Sequence, residues 1–109
     1  MIIRGGENIS PKEIEELMIT HPKVEDVAVV GMPDKKMGER TCAYIRSRSG
    51  QLITLEETVA FLREKGIASF KLPERLELVE EFPLTNVGKI AKNVLRDWIA
   101  HKLEEEHKS

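Results

Sequence analysis

The sequence contains a single cysteine, Cys42, and no apolar run that approaches the roughly 20 residues of a membrane-spanning helix. One cysteine excludes an internal disulfide and is consistent with a reducing compartment. The amino-terminal stretch MIIRGGEN lacks the features of a secretory signal peptide. These absences predict a cytoplasmic protein without a membrane partner.

An excess of positive charge is also missing, because 17 lysines and arginines are offset by 19 aspartates and glutamates, for a net charge of −2. Nucleic-acid-binding modules usually carry a basic excess or stripe, so we expect no nucleic-acid partner. His21, His101 and His107 lack the spacing of metal ligands, and no serine lies in a G-x-S-x-G pattern. We therefore expect no metal site and no self-sufficient active site.

Three helices are predicted in a chain of 109 residues, 40% of them hydrophobic, which is long enough for one modest core. The first covers residues 11–20, with Ser10 as N-cap and Glu13 placed to close a capping box. The second repeats this capping pattern between Thr54 and Gly66. The third covers residues 92–105, and we expect the terminal EEEHKS to fray.

Four strands are predicted between and before these helices. The run VEDVAVVGM is nearly continuous in apolar residues, which favours a central strand buried on both faces, and RTCAYIRS is expected to complete an antiparallel hairpin with it. RLELVEE adds a third core strand, and MIIR is a short peripheral strand that the following glycines end. We therefore expect an α+β fold in which three helices cover a small mixed or antiparallel sheet.

Four loops are candidates for chemistry. FPLTNVGKIAK places Lys89 directly after Gly88, but the first glycine and the hydroxyl residue of a Walker A loop are missing, so a P-loop is excluded. RGGEN, MGER and SFKLPER combine glycine, proline and charged residues. On the residues alone, a solvated lysine and ordinary turns explain these loops as well as a binding site does.

Taken in order along the chain, the segments GGENISPKEIE, GER and PLTNVGKI resemble the C-terminal domain of the adenylate-forming superfamily. That superfamily comprises acyl-CoA and aryl-CoA synthetases, firefly luciferases and the adenylation domains of nonribosomal peptide synthetases. RGGEN, MGERTCAY and FKLPER look most similar to aryl-acid AMP ligases of the 2,3-dihydroxybenzoate type and to medium-chain acyl-CoA ligases. The resemblance covers nearly the whole chain, and it leaves both subfamilies open.

The resemblance implies a two-step reaction in which a carboxylic acid and ATP form an acyl-adenylate and pyrophosphate, and a thiol then displaces AMP. It implies that Lys89 is the catalytic lysine of the first step, on a loop shaped by Pro83, Thr85 and Gly88. It also implies that ATP and Mg²⁺ are bound mainly by a large N-terminal domain outside this chain.

For the second step the resemblance implies that Gly5 and Gly6 line the tunnel for the pantetheine arm, and that Phe70 and Lys71 contact the thiol donor. That donor is CoA or the phosphopantetheine of an acyl or aryl carrier protein. Leu72 and Glu74 stand where some CoA ligases have basic or aromatic residues, which favours a carrier protein without deciding the choice.

We expect a G-R-x-K-D hinge segment just before Met1 in the complete protein, and no ligase activity from residues 1–109 alone. The alternative hypothesis is a stand-alone interaction module that binds a carrier protein or a partner domain.

Overall fold

The computed structural model describes residues 1–108 and has one five-stranded sheet with helices against both of its faces. This architecture confirms the predicted α+β class. Within the described residues, no helix is long and apolar enough to cross a membrane. In chain order the elements are β1 (Ile2–Arg4), β2 (Glu7–Ile9), α1 (Pro11–Met18), β3 (Val24–Asp34), β4 (Gly38–Ser47), α2 (Leu55–Glu64), a 3-10 turn (Ser69–Lys71), β5 (Arg75–Leu78) and α3 (Lys92–Lys108).

The centre of the sheet is the predicted antiparallel hairpin of β3 and β4, which pairs from Val24 with Ser47 to Asp34 with Gly38. β3 occupies one edge of β4 along its whole length. On the other edge, β1 pairs antiparallel with the start of β4, and β5 pairs parallel with its middle. The sheet is therefore mixed. β1, β3 and β5 all pair with β4, and β2 pairs with β1.

The two faces of the hairpin pack against different helices because successive strand residues point to opposite sides. Val27 and Val29 face a core completed by α1 and α2, whereas Ala28 and Val30 face a core completed by α3. Both cores contain fully buried side chains. VEDVAVVGM is buried on both faces as expected, but the expectation of a central strand was wrong, because among residues 1–108 β3 pairs only with β4 and forms an edge of the sheet.

The helix caps follow the sequence closely, with one difference. In α2 both bonds of the capping box between Thr54 and Glu57 are present. In α1 the Ser10 hydroxyl accepts the Glu13 N–H at 3.4 Å, but the Glu13 carboxylate accepts a hydrogen bond from Lys71 at 2.9 Å. Only the first half of the predicted box therefore forms in α1, because a long-range cation takes the carboxylate.

The glycines after β1 end that strand as predicted. Their positive φ angles, 56° at Gly5 and 86° at Gly6, match a two-residue hairpin turn that leads into β2, a strand that was not predicted.

The bounds of the other elements differ from prediction by a few residues. β3 continues to Asp34 rather than residue 32, and β4 begins at Gly38 rather than residue 40. α1 ends at Met18 rather than residue 20, and β5 ends at Leu78 rather than residue 81. α3 continues to Lys108, past the expected fraying point.

The free edge of β3 is covered by one side chain from α1. The Glu15 carboxylate accepts the N–H of Val29 at 2.8 Å and pairs with the Lys92 ammonium at 2.7 Å. Glu15 thus satisfies a strand donor that has no partner strand, and it links α1 to the first residue of α3.

Candidate functional site

The loop that carries Lys89 is a tight hairpin with a glycine bulge. The Gly88 N–H donates to the Thr85 carbonyl at 3.0 Å, and the Thr85 N–H donates to the Lys89 carbonyl at 2.7 Å. Gly88 has a φ of 81°, which is the left-handed residue that a three-residue hairpin loop requires. The Thr85 hydroxyl also accepts the Lys89 N–H at 3.2 Å. The backbone of Lys89 is therefore held by its own loop.

The base of this loop is fixed to the body of the protein. The Pro83 carbonyl accepts the Ala91 N–H at 2.8 Å, and Phe82 and Ile90 pack against the core under α3. Lys89 itself is exposed, and among residues 1–108 its ammonium takes part in no ion pair within 4.0 Å. An ordered loop thus presents an unneutralised cation to solvent.

The Gly5–Gly6 turn lies directly against the β3–β4 turn. The Gly5 N–H donates to the Met37 carbonyl at 2.8 Å, and a Cβ placed on Gly5 would lie 2.7 Å from the Met37 methyl carbon. A Cβ placed on Gly6 would meet nothing within 4 Å. A Cβ at Gly5 would therefore displace the tip of the Met37 side chain, whereas Gly6 leaves open space beside the turn.

Phe70 and Lys71 lie on the 3-10 turn that precedes β5. The Lys71 ammonium bonds to Glu13 and lies 5.6 Å from the Phe70 ring centroid, so its charge is already partnered. Phe70 is half-buried and packs against the core under α1 and α2. With Arg4 and Glu74 it lines a shallow cleft of about 220 Å³.

A network of ion pairs joins three of the loops that the sequence singled out. Glu74 accepts hydrogen bonds from Arg4 and from Arg40, and Arg40 also pairs with Asp34 at 2.9 Å. The N–H of Met37 and the Arg40 guanidinium hold the pKa of Asp34 below its ordinary value. RGGEN, MGER and FKLPER therefore form one continuous surface, although Arg4 and Glu74 are 70 positions apart.

The sequence reasoning did not assign Arg4 or Arg40 to this surface. Residues that pair across 34 or 70 positions show no characteristic spacing in the sequence, so these ion pairs could not be predicted from it. One signal was present in the sequence: FKLPER contains the acidic Glu74, and RGGEN and MGER each contain an arginine that could pair with it.

The lysine loop and the glycine turn are anchored in different cores. Phe82 and Ile90, which flank the lysine loop, pack into the core under α3. Ile2 and Ile9, which flank the glycine turn, are buried in the core under α1 and α2. Among residues 1–108, no hydrogen bond or ion pair joins Lys89 to Gly5 or Gly6.

Other reactive groups are not arranged for chemistry. Burial raises the pKa of the Cys42 thiol to about 12, so the thiol stays protonated and is a poor nucleophile at neutral pH. In the described part of the chain, no three His, Cys, Asp or Glu side chains are grouped so that they could hold a metal ion. The assignment of Mg²⁺ to another domain stays a prediction.

An open groove of about 740 Å³ lies at the other end of β4 from the glycine turn. It is lined by the loop after β4 and by the end of β5, including Arg46, Leu52 and Leu78. The Arg48 guanidinium at its rim pairs with Glu25 at 3.0 Å. None of the four candidate loops lines this groove.

Comparison with known proteins agrees with the motif reading. The family model described as the AMP-binding enzyme C-terminal domain matches residues 13–89. A 2,3-dihydroxybenzoate-AMP ligase from Bacillus subtilis is 47% identical over 102 residues, which cover 94% of this chain and 19% of the ligase. A medium-chain fatty-acid–CoA ligase from Escherichia coli is 43% identical over 107 residues, covering 97% of this chain and 19% of that protein.

Solved structures show the same fold. A fatty acyl CoA synthetase from Mycobacterium tuberculosis superposes with a TM-score of 0.85 at 37% identity, covering 94% of this chain and 20% of its own. MbtA from Mycobacterium smegmatis, in its apo form, gives a TM-score of 0.84 at 38% identity, covering 88% of this chain and 18% of its own. This chain therefore spans about a fifth of the length of these relatives.

Proposed function

Because this chain belongs to the family of AMP-binding enzyme C-terminal domains, we propose that it is the lid domain of an AMP-forming acid–thiol ligase. In this proposal a large N-terminal domain, which would supply the rest of the length of the relatives, holds ATP, Mg²⁺ and the carboxylic acid. The observation that carries the proposal is the hairpin that presents the unpaired Lys89 ammonium from a fixed base. The partner of this domain is then its own adenylation domain.

Lys89 acts in the first half-reaction. The acid carboxylate attacks the α-phosphorus of ATP, the bond to pyrophosphate breaks, and negative charge collects on the transferring oxygens. A compact ammonium delivered into a cleft that excludes water stabilises that charge. Thr85 and Gly88 matter because their hydrogen bonds and turn geometry hold the Lys89 backbone before it enters the cleft.

The glycine turn acts in the second half-reaction. The thiol of CoA, or of a carrier protein's phosphopantetheine, attacks the acyl carbon of the adenylate and releases AMP. The open space beside Gly6 lets a narrow pantetheine arm pass without meeting a side chain. Phe70 and Lys71 would contact the nucleotide or the carrier protein beside it. In this proposal the domain rotates between the two steps, so that the lysine loop and the glycine turn reach the cleft of the large domain one after the other.

Half-reaction kinetics of the full-length ligase that contains this domain test the assignment of Lys89. Replacing Lys89 by alanine is expected to slow acyl-adenylate formation about 100-fold or more, since one preorganised donor to the developing charge is lost. Thioester formation from preformed adenylate is expected to stay at the wild-type rate. Lys35→Ala is the matched control, because Lys35 is also an exposed loop lysine. Equal adenylation rates in the two variants would contradict the proposal.

The purified 109-residue chain is expected to form no acyl-adenylate from ATP and an acid, because the substrate pocket lies on the large domain. Formation of labelled adenylate by this chain alone would contradict that expectation. The alternative, an interaction module, predicts carrier-protein binding that survives Lys89→Ala together with unchanged adenylation by the full-length variant.

A further inference from the structure

The carboxylate of Glu74 is the point where the glycine turn, the β3–β4 turn and the segment before β5 meet. Arg4 donates to it from Nε at 2.9 Å and from Nη2 at 3.2 Å, so this pair is bidentate. Arg40 donates to the same carboxylate from Nη1 at 2.6 Å. The three side chains are only 24–29% exposed.

Each of these groups is fixed by the backbone that carries it. The Glu74 N–H donates to the Thr41 carbonyl at 2.9 Å, which ties the start of β5 to β4. Arg4 is the last residue of β1 and pairs with Gly38 in the sheet. Arg4 directly precedes Gly5, so the position of its guanidinium and the position of the turn are coupled.

Glu74 is the carboxylate that bonds to both Arg4 and Arg40. Burial would raise the pKa of Glu74, but the hydrogen bonds from Arg4 and Arg40 outweigh burial and hold it below its ordinary value. The other carboxylates that face these arginines are Asp34, bonded to Arg40, and Glu7, which acts on Arg4 through space. Without the Glu74 charge, two guanidiniums would face each other across the turn.

Partly exposed ion pairs contribute little to stability, because solvent screens the charges and ordering the side chains has an entropic cost. A bidentate arginine–carboxylate pair instead fixes geometry, because its two bonds define both distance and orientation. The arrangement therefore suits positioning better than it suits stabilisation of the fold.

We propose that Glu74 is a positioning residue for the second half-reaction, holding the Gly5–Gly6 turn at a fixed place beside the Phe70 segment. The inference rests on the proposed function, since it names the group that keeps the pantetheine-facing turn in place. Glu74 touches neither substrate nor reacting atoms in this proposal, and it acts through Arg4 and Arg40.

Steady-state kinetics of the full-length ligase with pantetheine or CoA as the thiol provide the functional test, with Glu74→Gln as the variant. The amide keeps the shape of the side chain and removes its charge. We expect the KM for the thiol to rise about tenfold, with kcat at saturating thiol and the adenylation rate unchanged. Glu80→Gln, an exposed glutamate beyond β5, is the matched control and should leave all three at wild type.

Amide hydrogen exchange of the 109-residue chain gives an independent measurement. The Gly5 amide, bonded to the Met37 carbonyl, is expected to exchange faster in Glu74→Gln, with the amides of the β3–β4 hairpin unchanged. Unchanged Gly5 exchange, or an equal loss of adenylation and thioester formation, would overturn the positioning role. If the wild-type ligase formed no thioester, the proposed function would fail, whereas faster Gly5 exchange in Glu74→Gln would still show that Glu74 holds the Gly5–Gly6 turn in place.

Discussion

A methyl group added at Gly5 and one added at Gly6 should destabilise the protein by different amounts. Both residues have positive φ, 56° and 86°, so a Cβ at either position introduces backbone strain of about 1–2 kcal/mol. At Gly5 the new Cβ would also lie 2.7 Å from the Met37 methyl carbon and 3.5 Å from its sulfur. The methionine tip can rotate away, which adds about 1 kcal/mol for an unfavourable rotamer and lost packing.

We therefore expect Gly6→Ala to lower the free energy of unfolding by about 1–2 kcal/mol and Gly5→Ala by about 2–3 kcal/mol. Urea unfolding of the 109-residue chain, followed by far-ultraviolet circular dichroism, measures both values. Met37→Ala removes the contact and serves as the second arm of a double-mutant cycle, in which Gly5→Ala should become about 1 kcal/mol less damaging.

Equal destabilisation by the two glycine variants, or a coupling near zero between Gly5→Ala and Met37→Ala, would refute this reasoning. Such a result would mean that the Met37 side chain makes room for a Cβ at Gly5 without a measurable cost. It would also remove the physical distinction between a glycine needed for packing and a glycine that leaves space.

Ile99→Ala is expected to destabilise the protein by about 2–5 kcal/mol in urea unfolding, because it leaves a cavity where a fully buried side chain of α3 was packed. Val87→Ala, at an exposed site, should change stability by less than about 0.5 kcal/mol, and similar values for the two variants would contradict the assignment of the core. Tyr44→Phe should cost about 1 kcal/mol in the same assay, because its buried hydroxyl donates to a carbonyl of α3, and a stability equal to wild type would argue against that bond. Burial lowers the pKa of His21, whose Nδ1 accepts the Lys23 N–H. Because the unfolded chain binds the proton more tightly, His21 should contribute stability above pH about 6.5 that is lost as pH falls below it. Urea unfolding between pH 7 and 5 should show this loss in wild type and a smaller one in His21→Phe, and equal pH dependence would contradict it.

The sequence predicted those helices and strands that are determined by residues close together in the chain. The apolar run around Val29 and the caps at Ser10 and Thr54 each act within a few residues, and the corresponding strand and helices lie where expected. β2 was missed because Glu7–Ile9 is too short and polar to show strand periodicity. It forms because the preceding glycine turn returns the chain against β1.

In the candidate site, too, features set by nearby residues could be predicted, whereas contacts between distant residues could not. The shape of the lysine loop could be anticipated from the Thr-Asn-Val-Gly sequence, since a glycine after a turn supplies the required positive φ. The partners of Lys71 and Glu74 could not, because each bonds to a residue at least 30 positions away that only the folded sheet brings near. The sequence therefore identified the loops that carry the family's motifs, and the structure showed how three of them are joined.

The bond from Glu15 to the edge of β3 also bears on aggregation. An open sheet edge is a template for pairing with a second chain. The Val29 N–H at this edge is already taken by a carboxylate, and a lysine of α3 holds that carboxylate in place. In the rotation that we propose for this domain, the bond lies within the domain itself and would keep this edge donor unavailable to a second chain throughout the motion.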